Sequence, residues 1–365
     1  MPPDDGNEGR GGAMADGNHL VGVDIGSSAI KVVQLKEVRK GIGLVRAGFC
    51  PLPPQSIVDG HVMNTQAIVS AIGRALNDAK IRQREVALSI SGQAVIIRKI
   101  TVPMMTQTEL DEQIQWEAEQ HIPFDIKDVH VDYEVIRKRP EAGQMDLLLV
   151  AAKREEVNDY LEVARQAKLK PLVLDIDAFT VQNLFEHGRG IPTDQTFAIV
   201  NVGASLTSIN IVSRGASAFT RDIPNAGNYV TEQIQKQLGV SFEDAENLKC
   251  QPPTQAFGPT AQVPQIIDSV CDTIASEIQR SLDFFLATSG EPEMHRIYLT
   301  GGTSNLPSLP AAISRRSRVG VEILQPFERI TFEGKDVNAD MLQTRGSQLC
   351  VALGLAMRKD KEKRT

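Results

Sequence analysis

The chain has 365 residues, 41% apolar and 23% charged, enough to bury ordinary cores in about two domains. Its 39 basic and 46 acidic residues mix along the sequence to a formal charge of -7, so no basic field exists to hold nucleic acid by its phosphates. Cys50, Cys250, Cys271 and Cys350 lie far apart without a C-x-x-C pair, which argues against zinc and a disulfide framework and fits a reducing cytoplasm.

The opening stretch, residues 1–18, is rich in Gly and Asp with almost nothing to bury, which predicts a disordered tail. It lacks the basic-then-apolar pattern of a signal peptide, and Met14 offers an alternative start. No later stretch approaches the roughly 20 consecutive apolar residues of a membrane-spanning helix, so the expectation is a protein neither exported nor inserted in a bilayer. From Leu20 the pattern changes: residues 20–24 read as a buried strand, a Gly-Ser turn follows, and residues 29–36 form a second strand. Ile68, Ile72, Ala75, Leu76 and Ala79 then share one face of a helix over 65–79.

A different unit begins near Val86, where β-rich segments at 86–91 and 94–100 precede Pro103 and a helix. Thr106 and Glu109 have capping-box spacing, and Leu110, Ile114, Ala118 and Ile122 recur every fourth residue until Pro123 ends the helix. Trp116 falls near the opposite side, where it is either a partner contact or covered by a second layer. His121, near the apolar face, reads as a core or boundary histidine. Strands over 129–136 and 145–151 flank a polar turn, before a helix with Val157, Tyr160, Leu161 and Ala164 on one face. Residues 86–170 thus read as an α+β insertion after a first lobe at 19–85.

The third section repeats the first in outline, with a strand over 197–202, a small-residue turn and a strand over 206–212. A helix over 227–238, a Pro-rich connector over 251–264 and a long amphipathic helix through Ile267, Ile274, Ile278 and Phe285 complete a second lobe. The core thus runs over 171–357, and a charged tail over 358–365 has no apolar face to sink into lipid.

Three turns carry the candidate chemistry. In the first, Asp24 precedes Gly26, Ser27 and Ser28, and Lys31 follows. Glycine permits close backbone approach, the hydroxyls donate, Lys31 can return to phosphates as a point charge, and Asp24 can order a hydrated Mg²⁺. The same residues also suit a plain hairpin. In the second, Asn201 leads to Gly203, Ala204 and Thr207; facing the first, it would clamp a polyphosphate. The third is a buried strand ending at Gly301, Gly302, Thr303 and Ser304, where bare backbone lets a nucleoside lie flat. Asp175 and Asp177, at the strand-to-helix junction over 174–181, read first as helix caps.

Hairpin, hairpin and diglycine bend, in this order, resemble the phosphate-one, phosphate-two and adenosine motifs of the actin, sugar-kinase and heat-shock-chaperone superfamily. Within it the run from Ile96 to Pro103, Glu109-Leu110, the run from Ile114 to Phe124 and Asp132-Tyr133 resemble the PilM family, actin-like relatives of the cell-division protein FtsA, over nearly the whole chain from Leu20 to Arg358. Gly227 with Thr231, and the stretch holding Glu246 and Lys249, resemble the segment that helps enclose adenosine.

The resemblance implies an actin-like (ribonuclease-H-type) two-lobed α/β fold with a duplicated core and an inserted α+β subdomain, binding ATP with Mg²⁺. It further implies a cytoplasmic assembly protein of the type IV pilus machine that docks the N-terminal cytoplasmic tail of PilN in a groove beside the insertion. Other pilus motor and alignment proteins are then expected partners, self-association is left open, and attachment to the inner membrane is indirect. In relatives a residue near Asp175 and Asp177 orients the attacking water. Where the superfamily's second turn opens with Asp, this chain has Asn201, which supplies no negative charge and cannot act as a base, so the expectation is ATP binding with slow or absent turnover. The alternatives are an FtsA-like polymerising protein and a small-molecule kinase of the same fold.

Overall fold

The computed structural model describes residues 17–39, 41–251, 258–334 and 338–361. In chain order the first lobe opens with β1 (Val21–Ile25), β2 (Ala29–Val38), β3 (Gly41–Pro51), the short strands β4 (Ile57–Val58) and β5 (His61–Val62), helix α1 (Thr65–Asp78) and β6 (Glu85–Ile90). The insertion holds β7 (Val95–Pro103), α2 (Gln107–His121), β8 (Val129–Arg139) and β9 (Gln144–Lys153). Then come α3 (Arg154–Gln166), β10 (Lys170–Ile176) and α4 (Asp177–Arg189). The second half contains β11 (Phe197–Val202), β12 (Thr207–Ser213), β13 (Ala216–Ile223), α5 (Gly227–Leu238), α6 (Phe242–Cys250), α7 (Val263–Ser289) and β14 (Arg296–Thr300). It ends with α8 (Ser308–Ser317), β15 (Val321–Ile323), β16 (Ile330–Phe332), α9 (Ala339–Arg345) and α10 (Cys350–Ala356).

The duplication is explicit in the strand orders. One sheet runs β10-β6-β1-β2-β3-β16 and the other β13-β12-β11-β14-β15. In each, an antiparallel hairpin (β1 with β2, β11 with β12) lies beside a parallel strand (β6, β14). Strand β1 is buried at all five positions, the pattern of a central strand covered on both faces. One apolar core fills each lobe, and a third joins them through α4 and α10. There Gly354 of α10 lies so close to α4 that an added Cβ would stand 1.9 Å from the Thr180 carbonyl oxygen.

The insertion boundary differs from the sequence expectation. Strand β6 pairs with β1 and β10 in the six-stranded sheet, and the buried face of α3 (Val157, Tyr160, Ala164) packs into the first-lobe core. The three-stranded sheet β7-β9-β8 with α2 is the separate unit. A strand's apolar run does not reveal its sheet partner, which explains the displaced boundary.

The capping box of α2 is present, the Thr106 hydroxyl accepting from the Glu109 amide at 3.3 Å and the Glu109 carboxylate from the Thr106 amide at 2.7 Å. His121 is exposed, not at a core or boundary position, because the buried stripe Leu110, Ile114, Ala118 passes on to Ile122. Pro264 lies within the first turn of α7, where a missing amide costs nothing, so the Pro-rich connector is shorter than expected; residues 252–257 of it lie outside the described residues.

Of the expected N-terminal tail, residues 1–16 lie outside the described residues, while Asn18 is held to Asp360. The charged end is likewise engaged: Arg358 pairs with Asp175 and Lys359 with Glu37, residues 362–365 lying outside the description. Among the described residues no helix is long and apolar enough to cross a membrane, and no group of three or more His, Cys, Asp or Glu side chains could hold a metal ion.

Candidate functional site

The three turns open onto one cleft of about 1770 Å³ between the lobes. Its wall includes Asp24, Gly26, Ser27, Ser28 and Lys31 from the β1–β2 hairpin, and Asn201, Gly203 and Ala204 from the β11–β12 hairpin. Gly301, Gly302 and Thr303 after β14, with Glu246 and Lys249 of α6, line the same space. Thr207, Gly227 and Ser304 are not on its surface but support it from behind. The Thr207 hydroxyl donates to the Asn225 carbonyl (2.7 Å), Gly227 N–H to the Gly203 carbonyl (3.1 Å), and the Ser304 hydroxyl to the Gly301 carbonyl (2.6 Å).

The first hairpin places Asp24 directly opposite Lys31, and the ammonium lies 3.1 Å from the carboxylate with both side chains about nine-tenths buried. Such a pair holds the Lys31 charge over the turn: an added Cβ on Gly26 would stand 2.5 Å from Lys31 Nζ. In the second hairpin Asn201 lies opposite Ser208, with no charge of its own. The two turns touch across the cleft through the Ser205 hydroxyl, which donates to the Ser27 hydroxyl at 2.9 Å.

The third turn depends on Gly301, whose φ is 91° and whose added Cβ would stand 2.3 Å from the Val202 carbonyl oxygen. The Thr303 hydroxyl donates to the Gly203 carbonyl at 2.7 Å, tying diglycine bend and second hairpin into one wall. Beyond it, Lys249 donates to Glu246 (2.6 Å), the Thr231 hydroxyl (2.9 Å) and the Gly227 carbonyl (3.2 Å). Burial alone would raise the Glu246 pKa, but the Lys249 charge and the hydrogen bonds donated to the carboxylate by Lys249 and the Thr231 hydroxyl (2.6 Å) hold it below the usual carboxylate value.

The structure separates Asp175 from Asp177. Asp175 is buried against Arg358 at 2.8 Å, away from the cleft lining. Asp177 lines the cleft, and its carboxyl is pushed up to about 6, first by burial and then by the Asp24 charge, against hydrogen bonds from Ser89 and Ser91. Neither caps α4: its N-cap is Ile176, with no side-chain cap, which corrects the capping reading of both residues. Trp116 stands on α2, 74% exposed and not among the cleft residues.

Sequence reasoning missed several contributors. Asn228 follows Gly227 and clamps the second turn, its amide donating to the Ala204 carbonyl (2.7 Å) and its side chain to the Ser205 hydroxyl (3.1 Å). Asp222 of β13 accepts from the Gly92 amide across the lobe junction at 2.5 Å, and burial raises its pKa despite that bond and one from Ser208. Asn228 stands next to a glycine already singled out, a usable signal, but nothing local marks Asp222.

The sequence matches the family of the type IV pilus assembly protein PilM over residues 22–360. A solved PilM-PilN type IV pilus biogenesis complex is similar with a TM-score of 0.83 and 30% identity, covering 94% of this chain and 99% of the matched one. Cell division protein FtsA of Neisseria meningitidis serogroup B is 23% identical over 70% of this chain and 68% of that protein; the chain spans 59% of the length of Escherichia coli K12 FtsA. MreB5 of Spiroplasma citri, solved with ADP bound, shares the fold at a TM-score of 0.50 and 13% identity, covering 92% and 94% of the two chains. The duplicated two-lobed fold is actin-like.

Proposed function

The chain belongs to the PilM family of type IV pilus assembly proteins, and from that membership we propose that it is an ATP-binding component of the pilus assembly machine that docks the N-terminal cytoplasmic tail of a PilN partner. The observation that carries the nucleotide half is the convergence of both hairpins and the diglycine bend on one interlobe cleft. Ser27, Ser28, the turn amides and Lys31 would hold phosphate oxygens. The backbone at Gly301 and Gly302, with the Glu246 and Lys249 side chains, would hold the nucleoside. Asp24 and Asp177 place two carboxylates within electrostatic reach while Lys31 is engaged by one of them. That donor set suits a hydrated Mg²⁺, which when bound neutralises phosphate charge.

Turnover is slow or absent in this reading. Asn201 brings no carboxylate, and burial and the Asp24 charge raise the Asp177 carboxyl to about 6, which weakens it as a metal-bound anion. The nucleotide then acts as a wedge that sets the angle between lobes.

The partner half rests on the family and on a recess of about 270 Å³ at the root of the insertion, lined by Gly92, Gln93, Ile97, Arg98, Thr220 and Asp222. It adjoins both lobes, so a tail seated there would feel the closure that ATP sets, and the protein would reach the inner membrane only through PilN. Calorimetric titration of a peptide copying the PilN tail, with and without ATP and Mg²⁺, tests both halves. Saturable binding of peptide and nucleotide, each altering the affinity for the other, is expected. Lack of nucleotide binding, or a peptide indifferent to this protein, overturns the corresponding half.

A further inference from the structure

Among the described residues, three cationic side chains line the interlobe cleft: Lys31, Lys249 and Arg345. Two are already engaged, Lys31 by Asp24 and Lys249 by Glu246, the Thr231 hydroxyl and the Gly227 carbonyl. The Arg345 guanidinium has neither a hydrogen bond nor an ion pair among the described residues. What holds it is an aromatic ring. It lies over Phe49 of β3, 4.1 Å from the ring centroid, and Phe49 lines the same cleft.

The backbone puts this cation at the nucleoside end. Arg345 closes α9, and two residues on the Ser347 carbonyl accepts from the Gly301 amide and the Thr300 hydroxyl, each at 3.2 Å. Gln348 packs on Gly302, where an added Cβ would stand 3.3 Å from its side chain. Cys250 of α6 feels the same charge: burial and the Glu246 carboxylate push its thiol up, and the Lys249 and Arg345 cations oppose them. An arginine placed for phosphate presents its N–H edge, whereas this one is held by stacking. A planar, weakly hydrated cation with one face on an aromatic ring has its other face to offer a second π system. Glu246 Oε2 is already taken by Lys249 and the Thr231 hydroxyl, each at 2.6 Å, which favours holding a base by its face over holding it by its edge.

We propose that Arg345, backed by Phe49, is the stacking residue for the base of the bound nucleotide, its guanidinium covering one face of the purine. The inference rests on the cleft being a nucleotide site, and it adds a determinant for the base that the three glycine turns do not contain.

The test compares ATP with ribose 5-triphosphate, which carries the same phosphates and sugar without a base, by calorimetry on the full chain with Mg²⁺. Arg345→Ala should lower ATP affinity about tenfold and leave ribose 5-triphosphate binding unchanged. Arg345→Lys, which keeps the charge and loses the plane, should also weaken ATP, and Phe49→Leu should do so by a few-fold. The loss of adenine absorbance that stacking produces on binding should shrink in Arg345→Ala at saturating ATP, and unchanged circular dichroism shows that each variant keeps the fold. Equal losses for both ligands would mean that Arg345 serves the phosphates and would overturn the proposal, as would full ATP affinity in Arg345→Ala or full rescue by lysine. An unaltered chain that binds neither ligand overturns the nucleotide reading of the cleft together with this inference, so the two failures are told apart.

Discussion

The two halves of the molecule repeat one pattern, β3-β2-β1-β6-β10 against β13-β12-β11-β14-β15, yet their hairpins are not chemically equivalent. The first turn has a buried Asp24–Lys31 pair at its base, while the second has Asn201 opposite Ser208 and is braced by neutral hydrogen bonds from Thr303, Gly227 and Asn228. Both halves follow their parallel strand with a left-handed glycine and a short 3-10 turn, Gly92 after β6 and Gly301 after β14. A duplicated backbone has thus been given a charged grip on one side and a shaped, uncharged wall on the other. In the proposed function, charge matters where phosphate would be held, and backbone space where the nucleoside would lie.

The strongest way to break the shaped side is Gly301→Ala. The Cβ would press on the Val202 carbonyl and on Asn201 in a left-handed conformation, so a loss of ~3 kcal/mol is expected in chemical denaturation. The charged side breaks at Lys31→Ala, which removes the ammonium and leaves Asp24 unpaired: ATP affinity should fall by a factor of about 30 to 100, ~2–3 kcal/mol, in calorimetry, with the fold retained.

Asp177 sharpens the contrast through pH. With its carboxyl raised from 3.8 to about 6, the native state holds a proton that the unfolded chain has released across that window, so stability of the nucleotide-free protein falls as pH rises through it. Asp177→Asn should flatten this slope and raise stability at neutral pH by ~1–2 kcal/mol, read from melts at acid and neutral pH. The smallest effect is expected from Asn201→Asp, which makes the second hairpin resemble the first. Mg²⁺-dependent ATP turnover should rise a few-fold over that of the unaltered chain, ~1 kcal/mol or less in the barrier.

Much of this was legible in the chain. The turn at Asp24 to Lys31, the helix over residues 65–79, the capping box at Thr106 and the diglycine bend are encoded in contiguous residues, where periodicity and side-chain type act over a few positions. The two carboxylates at 175 and 177 mark the limit. Alternation along β10 and α4 could not say that one faces Arg358 from the far end of the chain while the other faces Asp24.

Sequence alone therefore determined the elements, the small-residue turns and the absence of charge at Asn201, because each depends on local backbone and residue chemistry. Tertiary structure decided the rest: that β6 and α3 belong to the first lobe, that Gly92 meets Asp222, and that Trp116 stays bare. These depend on contacts between residues far apart in the chain, and the free energy that selects among such pairings resides in burial and desolvation, which no local pattern specifies.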